Sequence, residues 1–486
     1  MPTSFLSNFF SEGKFFRDPI YGFIFVPKEL LDTVVHHPLF QRLRWISQMS
    51  LAQMVFPSAV HSRFEHSLGT MYLAAIAAEA IRKFVKENEN YLHDSGNDNF
   101  IEIINDDAKY KQFLTAAMAV GLLHDIGHAP FSHTFEMAIN EYDHEKVGFF
   151  LTEKVLEGVS EKWAEWTKKV LNKDFNELEP VESLLRSLID GPIGIDKGDY
   201  LLRDSYHCGV NYGWYGHDRL WQNLAVIPTA DPAREPIQEK ENLKIGVTIK
   251  GVHEAYHLIV ARFHMYQAIY EHHTKQKIDA TITGAIRLTK QIFSFSLEEL
   301  ENEDVIENLT TWTDGYIIHQ TLQPYTGTAA RRARNIVKNI YSRVLPKPSQ
   351  HLETIEIRCP QKHFKRVLKK VREEIWKLAS FDDDCPFFPY IHVPQSPFPV
   401  DKLTSIMVYD PTKKRTISLY EFLKLNITLP LSSASTIEGC DMLDFDNFQN
   451  YFYVKAFAYN DSALKEISDK WADLKSISSS GTDIWN

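Results

Sequence analysis

Gly121-Leu122-Leu123-His124-Asp125-Ile126-Gly127-His128-Ala129-Pro130-Phe131-Ser132-His133 decides how the rest of the chain is read. An apolar helical run, Phe113 to Leu123, ends in an adjacent histidine and aspartate, and two further histidines follow within nine residues. Burying a helix end with this much imidazole and carboxylate is costly unless the groups are satisfied. Ordinary hydrogen bonds at a helix terminus would account for one lone histidine. For a cluster, a metal ion accounts better, since imidazole nitrogen and carboxylate oxygen are its usual ligands.

Outward from that stretch, the 486 residues exceed one typical domain. The expected organisation is a mostly α-helical core over residues 1–345 and a smaller C-terminal α+β lobe over 346–486. Hydrophobic content of 44% and charged content of 24% are ordinary for a globular chain with a sizeable core. No stretch approaches the ~20 continuous apolar residues of a membrane span. Met1-Pro2-Thr3-Ser4-Phe5 lacks the basic-then-apolar pattern of a secretory signal. Cys208, Cys359, Cys385 and Cys440 are far apart, as expected of reduced thiols in a cytoplasmic protein. Lys+Arg of 53 against Asp+Glu of 64 gives a net charge of −11, which argues against a surface that coats nucleic acid. An anionic small molecule is not excluded, because it needs only a local cationic pocket.

Along the chain, Phe15 to Pro27 reads as a turn followed by a short strand. Helical periodicity begins near Lys28, breaks at His37-Pro38 and resumes over Leu39 to Ile46. A helix from about His66 to Asn88 places Leu73, Ile76, Ala77, Ala80 and Phe84 on one core-facing side. Asp94 to Asn99 is a polar loop. After the central block, Asp143 to about His207 stays helical. A hairpin is expected from Leu224–Ile227 and Leu243–Ile249 around a polar, proline-containing excursion. Val252 to about Phe295 is helical again, as is part of Ile317 to Arg343. The basic run Arg331-Arg332-Ala333-Arg334 reads first as a solvated helix face. Beyond Pro346, Phe364 to Leu378 is an amphipathic helix, Cys385 to Val400 is proline-rich, and Asp410 to Lys414 is a turn between strands Ile406–Tyr409 and Arg415–Leu419. A loose tail is expected from Ser476 to Asn486.

Three segments supply polar groups for one site. Arg63 and His66 lie one helical turn apart and share a face. His124-Asp125 is the second segment. In the third, Asp196, Tyr200 and Asp204 recur at i, i+4 and i+8, a polar stripe down one helix face. Alone, that stripe fits a face turned to water equally well. Together with the other two segments, it fits an interior site better.

The order His…His-Asp…Asp resembles the HD-domain metal-dependent phosphohydrolases, and the wider pattern resembles their deoxynucleoside triphosphate triphosphohydrolase (dNTPase, dGTPase) branch, including the core of members that also carry a SAM domain. The motifs are Asp18-Pro19-Ile20-Tyr21-Gly22, Phe40-Gln41-Arg42-Leu43-Arg44, Arg63-Phe64-Glu65-His66-Ser67-Leu68-Gly69, the His124-to-His133 block and Asp196-Lys197-Gly198-Asp199-Tyr200. They run in family order between about residues 15 and 345, with the HD segments in 50–220 and a substrate helix in 252–295.

The resemblance implies that His66, His124, Asp125 and Asp196 hold a divalent metal. Two nitrogens and two oxygens suit iron, manganese, zinc or nickel, with magnesium as a second, substrate-borne ion. It implies His133 as general acid or electrophile at the leaving oxygen, with His128 and His144 in support and Glu136 orienting one of them. Arg63, Lys197 and Arg262 would bind the triphosphate of a dNTP substrate. Gln48 and Asp204 would read the 3′-hydroxyl, and Tyr200 would pack under the sugar. Tyr270 would line the base pocket. Glu271 and Tyr266 stand where a SAM-containing relative has glutamine and histidine.

A homo-oligomer, dimer or tetramer, is also implied. His36 stands where tetrameric relatives carry the aspartate that reads guanine, so a GTP-specific activator is not expected. Another nucleotide, such as a dNTP, is left as a candidate activator, with Arg331, Arg332 or Arg334 as candidate contributors at a subunit interface. Relatives act in nucleotide-pool control, and some limit virus or phage replication. The rival expectations are an HD phosphohydrolase acting on a monophosphate, cyclic nucleotide or alarmone, and a nucleotide-sensing or nucleic-acid-binding scaffold with little turnover.

Overall fold

The computed structural model describes residues 2–289 except 140, 176 and 230–241, then 297–348 except 324–326. Further on it describes 354–360, 364–378, 381–382, 385–392, 400–412, 415–426, 449–458 and 471. The expected tail from Ser476 lies outside the described residues.

The chain is mostly helical, with small sheets at its edges. Two long helices form the centre, Arg63–Glu87 and Asp107–Leu123. Both are buried nearly all round rather than along one stripe, which marks central helices of a large core. They approach closely because of Gly121: a Cβ there would lie 2.8 Å from the backbone of Met71. That contact lets the C-terminal end of one helix meet the N-terminal turn of the other. It is the reason His124 reaches His66.

Around this pair pack the helices His144–Val155, Lys162–Leu171, Pro180–Asp190 and Ile195–Cys208. A second layer holds Val252–Met265, a π turn over Tyr266–Tyr270, and His273–Leu288. Asp314–Leu322 and Thr328–Tyr341 complete it. Among the described residues, no helix is long and apolar enough to cross a membrane.

The N-terminal region corrects one expectation. Gly13–Asp18 is a strand too, paired antiparallel with Gly22–Pro27, so the segment is a hairpin rather than a turn and one strand. Asp18 makes the turn: its Oδ1 accepts from the backbone N–H of Ile20 (2.8 Å) and Tyr21 (2.9 Å), and Gly22 takes a positive φ of 77°.

The central hairpin forms as Leu224–Pro228 against Leu243–Thr248. Its outer partner comes from far along the chain. Met407–Asp410 pairs parallel with Leu243–Thr248, and Arg415–Ser418 adds to that strand's other edge, giving one four-stranded sheet. This pairing crosses the division expected near residue 345. Further along the chain, Gln449–Ala458 lies antiparallel to both Ile355–Pro360 and Cys385–His392, and the helix Phe364–Leu378 packs against those two strands.

Candidate active site

Four side chains from three elements converge on one point. His66 Nε2 lies 3.2 Å from His124 Nε2, 3.2 Å from Asp196 Oδ1 and 3.5 Å from Asp125 Oδ2. His124 Nε2 lies 3.4 Å from Asp125 Oδ1 and 3.7 Å from Asp196 Oδ1. Ligand atoms about 2.1 Å from a shared ion stand roughly 3.0 to 3.4 Å apart, so this spacing fits one divalent cation. His66 is fully buried, while the Asp196 side chain keeps 30% exposure, so the corner opens on the Asp196 side.

The hydrogen bonds behind these groups settle which nitrogen faces inward. His124 Nδ1 lies 3.0 Å from the Gly121 carbonyl and must donate to it, which leaves Nε2 its lone pair. His66 Nδ1 lies 2.8 Å from Asp199 Oδ2, with the same consequence. Asp199 is gripped in turn by Arg203 through two bonds of 2.9 Å, and Arg203 reaches Asp18 at 2.8 Å. Gly69 makes room for this row, since a Cβ there would sit 1.8 Å from Asp199 Oδ1. A buried chain of alternating charge therefore runs from the N-terminal turn to the metal-facing imidazole. The sequence reading assigned no role to Asp199, Arg203 or this use of Asp18.

The electrostatics match. Burial opposes a charge on His66, but Asp196, Asp199 and Asp125 outweigh it and push the imidazole up to about 10. Burial likewise opposes charge on Asp125, yet His124, Arg63 and His128 hold it well below the ordinary carboxylate range. The carboxylates thus make the corner favour positive charge, which a bound divalent cation would supply in place of the His66 proton. Arg63 braces the corner by an ion pair from NH1 to Asp125 and a 2.7 Å bond from Nε to Ser132 Oγ. The guanidinium expected at a triphosphate is thus also a brace for Asp125.

Beside this corner lies a second group, His128, His133, Glu136 and His144. Glu136 accepts from His133 Nδ1 at 2.9 Å and is paired with His144 Nδ1. Burial works against its charge, but the two imidazoles hold its carboxyl well below the usual range. The His144 ring stacks on His128, centroids 4.1 Å apart and 12° from parallel. His128 Nε2 is 3.3 Å from Asp125 Oδ1, joining the groups. Burial, with Arg63 and His144, drives the His128 pKa well down, so its ring is neutral. The His133 side chain is 69% exposed, the most open member.

Residues 63–184 match the HD domain family, and residues 239–409 match the HD-associated region. The chain carries an HD domain followed by an HD-associated region. It is 33% identical over 299 residues to an uncharacterized protein of Methanocaldococcus jannaschii, covering 60% of this chain and 53% of that one. It is 26% identical over 347 residues to the deoxynucleoside triphosphate triphosphohydrolase SAMHD1 homolog of Dictyostelium discoideum, covering 69% and 60%. The match spans a little over half the length of the first curated relatives, at 53% and, for a Bacillus subtilis protein, 57%. Among solved structures, a phosphohydrolase from Bacteroides thetaiotaomicron shares the fold at a TM-score of 0.60 and 21% identity, over 92% of this chain and 100% of that one.

In this HD-domain chain the remaining site residues fall into two sets. Along the Ile195–Cys208 helix, Asp196, Tyr200 and Asp204 do share a face, turned toward the Val252–Met265 helix and the π turn after it. Arg262 lies over the Tyr266 ring at 4.6 Å, and Tyr270 sits 5.0 Å from Tyr266 and 6.1 Å from Tyr200. Asp204 is buried, with one oxygen 2.7 Å from His61 Nε2 and the other accepting from Tyr270 at 2.7 Å. Gln48 Oε1 is buried without a partner. These groups form a continuous aromatic and polar wall.

The second set is held by other contacts. Lys197 donates to the Asp190 carbonyl at 3.2 Å. Glu271 ends the π turn, its backbone N–H donating to Tyr266 at 3.0 Å. His36 is exposed beside Asp32, and Arg44 donates to Gln41 while lying over Phe64. Arg331 is exposed, whereas Arg332 and Arg334 are half-buried, with Arg334 donating to the Gln323 carbonyl.

Proposed function

We propose that this HD-domain protein is a metal-dependent phosphohydrolase that converts deoxynucleoside triphosphates to deoxynucleoside and inorganic triphosphate. The observation that carries the reading is the convergence of His66, His124, Asp125 and Asp196, each histidine Nε2 facing inward and standing 3.2 to 3.7 Å from the other and from an oxygen of each aspartate. Iron, manganese, zinc or nickel suits two nitrogens and two oxygens, and magnesium arrives with the substrate. A divalent ion held there polarises a phosphoryl oxygen and acidifies a water.

The chain's own groups do the rest. Arg63, Lys197 and Arg262 offset the triphosphate charge, Arg63 from its post on Asp125. Water attacks the α-phosphorus, the bond to the 5′-oxygen breaks, and His133 delivers a proton to that oxygen. Glu136 orients that imidazole by its hydrogen bond, and His144 shares the same carboxylate as a store for the returning proton. Tyr200 and Tyr270 pack the sugar and base, with Gln48 and Asp204 at the 3′-hydroxyl. The unpartnered oxygen of Gln48 favours a ligand at that end. The Dictyostelium relative's name supports the substrate class.

Assembly as a homo-oligomer responsive to an activating nucleotide belongs to the same reading and is checked by mass against nucleotide titration. The deciding experiment is metal analysis of purified protein with product identification on the four dNTPs. Inorganic triphosphate supports the reading. Orthophosphate or pyrophosphate would assign the site to another nucleotide, and binding without turnover across several metals would make it a sensor.

A further inference from the structure

Asp314 opens the Asp314–Leu322 helix, outside the HD match and within the HD-associated region. Its carboxylate does not face a cation directly. Oδ1 accepts from the backbone N–H of Phe131 at 2.7 Å, and Oδ2 accepts from that of Ser47 at 2.9 Å. One carboxylate therefore bridges two loops that are 84 residues apart in sequence and both border the site.

Each loop needs holding. Phe131 and Ser132 are consecutive non-glycine residues with φ of 58° and 56°, and Ser50 follows the other loop at 57°. Such conformations cost about 1 to 3 kcal/mol each and persist only where surroundings over-determine them. Phe131 and Ser132 are almost wholly buried, so water cannot serve their backbone groups.

From Asp314 a closed circuit continues. Ser132 Oγ donates to the Ser47 carbonyl at 3.0 Å and accepts from Arg63 Nε at 2.7 Å, and Arg63 pairs with Asp125. The residue after Ser132 is His133, and the residue after Ser47 is Gln48. Both flanking residues carry proposed roles, one at the leaving oxygen and one at the sugar.

We infer that Asp314 is a positioning residue: it clasps the Ser47 and Phe131 backbones and so fixes His133 and Gln48 relative to the metal corner. This rests on the reading of the site as a phosphohydrolase for its catalytic consequence, but not for its structural one. Burial pushes the Asp314 carboxyl up to about 6, against the pull of the two N–H groups and Arg63. A carboxylate kept in such surroundings is a costly way to join two loops if joining them serves stability alone.

The test uses the full chain with Asp314→Ala and the isosteric Asp314→Asn, whose carbonyl oxygen replaces one acceptor but whose NH2 cannot accept the other N–H. Hydrogen exchange is read at the Ser47 and Phe131 amides, and kcat, KM and bound metal are measured in parallel. The clasp predicts exchange at both amides faster by at least about tenfold in Asp314→Ala. It predicts a fall in kcat on the order of 100-fold, as expected for small displacement of reacting groups, with metal content unchanged. Asp314→Asn should fall between, and it carries the test if the alanine variant does not fold. Combining Asp314→Ala with Ser132→Ala should cost less than the product of the two single losses, because both cut one circuit.

Undiminished protection at both amides overturns the clasp. Faster exchange with turnover within about twofold of wild type overturns the positioning role. Should wild type hydrolyse no nucleotide, the proposed function fails, and the exchange measurement still decides whether the clasp exists.

Discussion

Two clusters of imidazole and carboxylate meet at Asp125, and they are built differently. In the corner of His66, His124, Asp125 and Asp196, each histidine spends its outer nitrogen on a fixed acceptor and turns the other inward. In the group of His128, His133, Glu136 and His144, His133 and His144 instead share the Glu136 carboxylate, and the His128 and His144 rings stack. The donor atoms of this second group also lie close enough to hold an ion, but there the Nδ1 atoms of His133 and His144 are already spent on Glu136. In the proposed function the same residue types serve as a cation site in one place and as a proton-handling site about one helical turn away. The deciding variable is where the second nitrogen of each ring is anchored.

The largest effect should come from the first cluster. His124→Ala with Asp125→Ala should reduce both bound metal and hydrolysis to background in a protein that remains folded by circular dichroism. Retained turnover in that variant would remove the basis for the distinction.

Glu136→Gln should separate the two functions next. Metal content should stay at the wild-type level while kcat falls by roughly 10² to 10⁴-fold, the range for losing general acid–base assistance. A parallel loss of metal, measured by mass spectrometry of the same sample, would merge the clusters into one metal site.

Smaller is the effect expected of Asp199→Asn. Without the carboxylate that fixes the His66 tautomer, metal affinity should weaken by roughly 10- to 100-fold, read by competition with a chelator of known affinity. Unchanged affinity would mean that Asp199 serves Arg203 and Asp18 alone.

The smallest concerns stability and pH. The folded pKa of Asp314, about 6, lies above its ordinary 3.8, so the folded state binds this proton more tightly. The contribution of this group to stability is fully present below about 4 and is lost as pH rises through 6, by at most roughly 3 kcal/mol. Urea midpoints of Asp314→Asn relative to wild type should therefore improve between pH 4 and 7. A difference that stays flat across that range would mean that the carboxyl titrates normally.

Much of the site was legible before any coordinates. His124-Asp125 at the end of an apolar helix, Arg63 and His66 one turn apart, and the Asp196, Tyr200, Asp204 stripe are local patterns fixed by helical periodicity, and the structure brings these segments together. The row Asp199–Arg203–Asp18 was not legible, although two of its members lie in quoted motifs. Asp199 and Arg203 are i, i+4 neighbours that would look like a surface ion pair, and only burial against Asp18, far back in the chain, turns them into a support for His66. Asp314 gave no signal either, because its partners are backbone N–H groups that no side-chain pattern marks. The Gly13–Asp18 strand was missed because alternation over Gly-Lys-Phe-Phe-Arg-Asp is weak, and its pairing with Gly22–Pro27 depends on the Asp18 turn.

By itself, the sequence determined the long core helices, though not Pro2–Phe10 or Asp98–Asn105, together with the two later hairpins and which side chains could serve as ligands, because these follow from spacing within a few residues. Tertiary structure decided which imidazole nitrogens face the common point, that Arg63 braces Asp125, and that the strand Met407–Asp410 joins the sheet begun at Leu224. Those outcomes depend on contacts between residues tens to hundreds of positions apart. Whether such contacts form is set by burial and close packing, as at Gly121 against Met71, and not by the preferences of neighbouring residues.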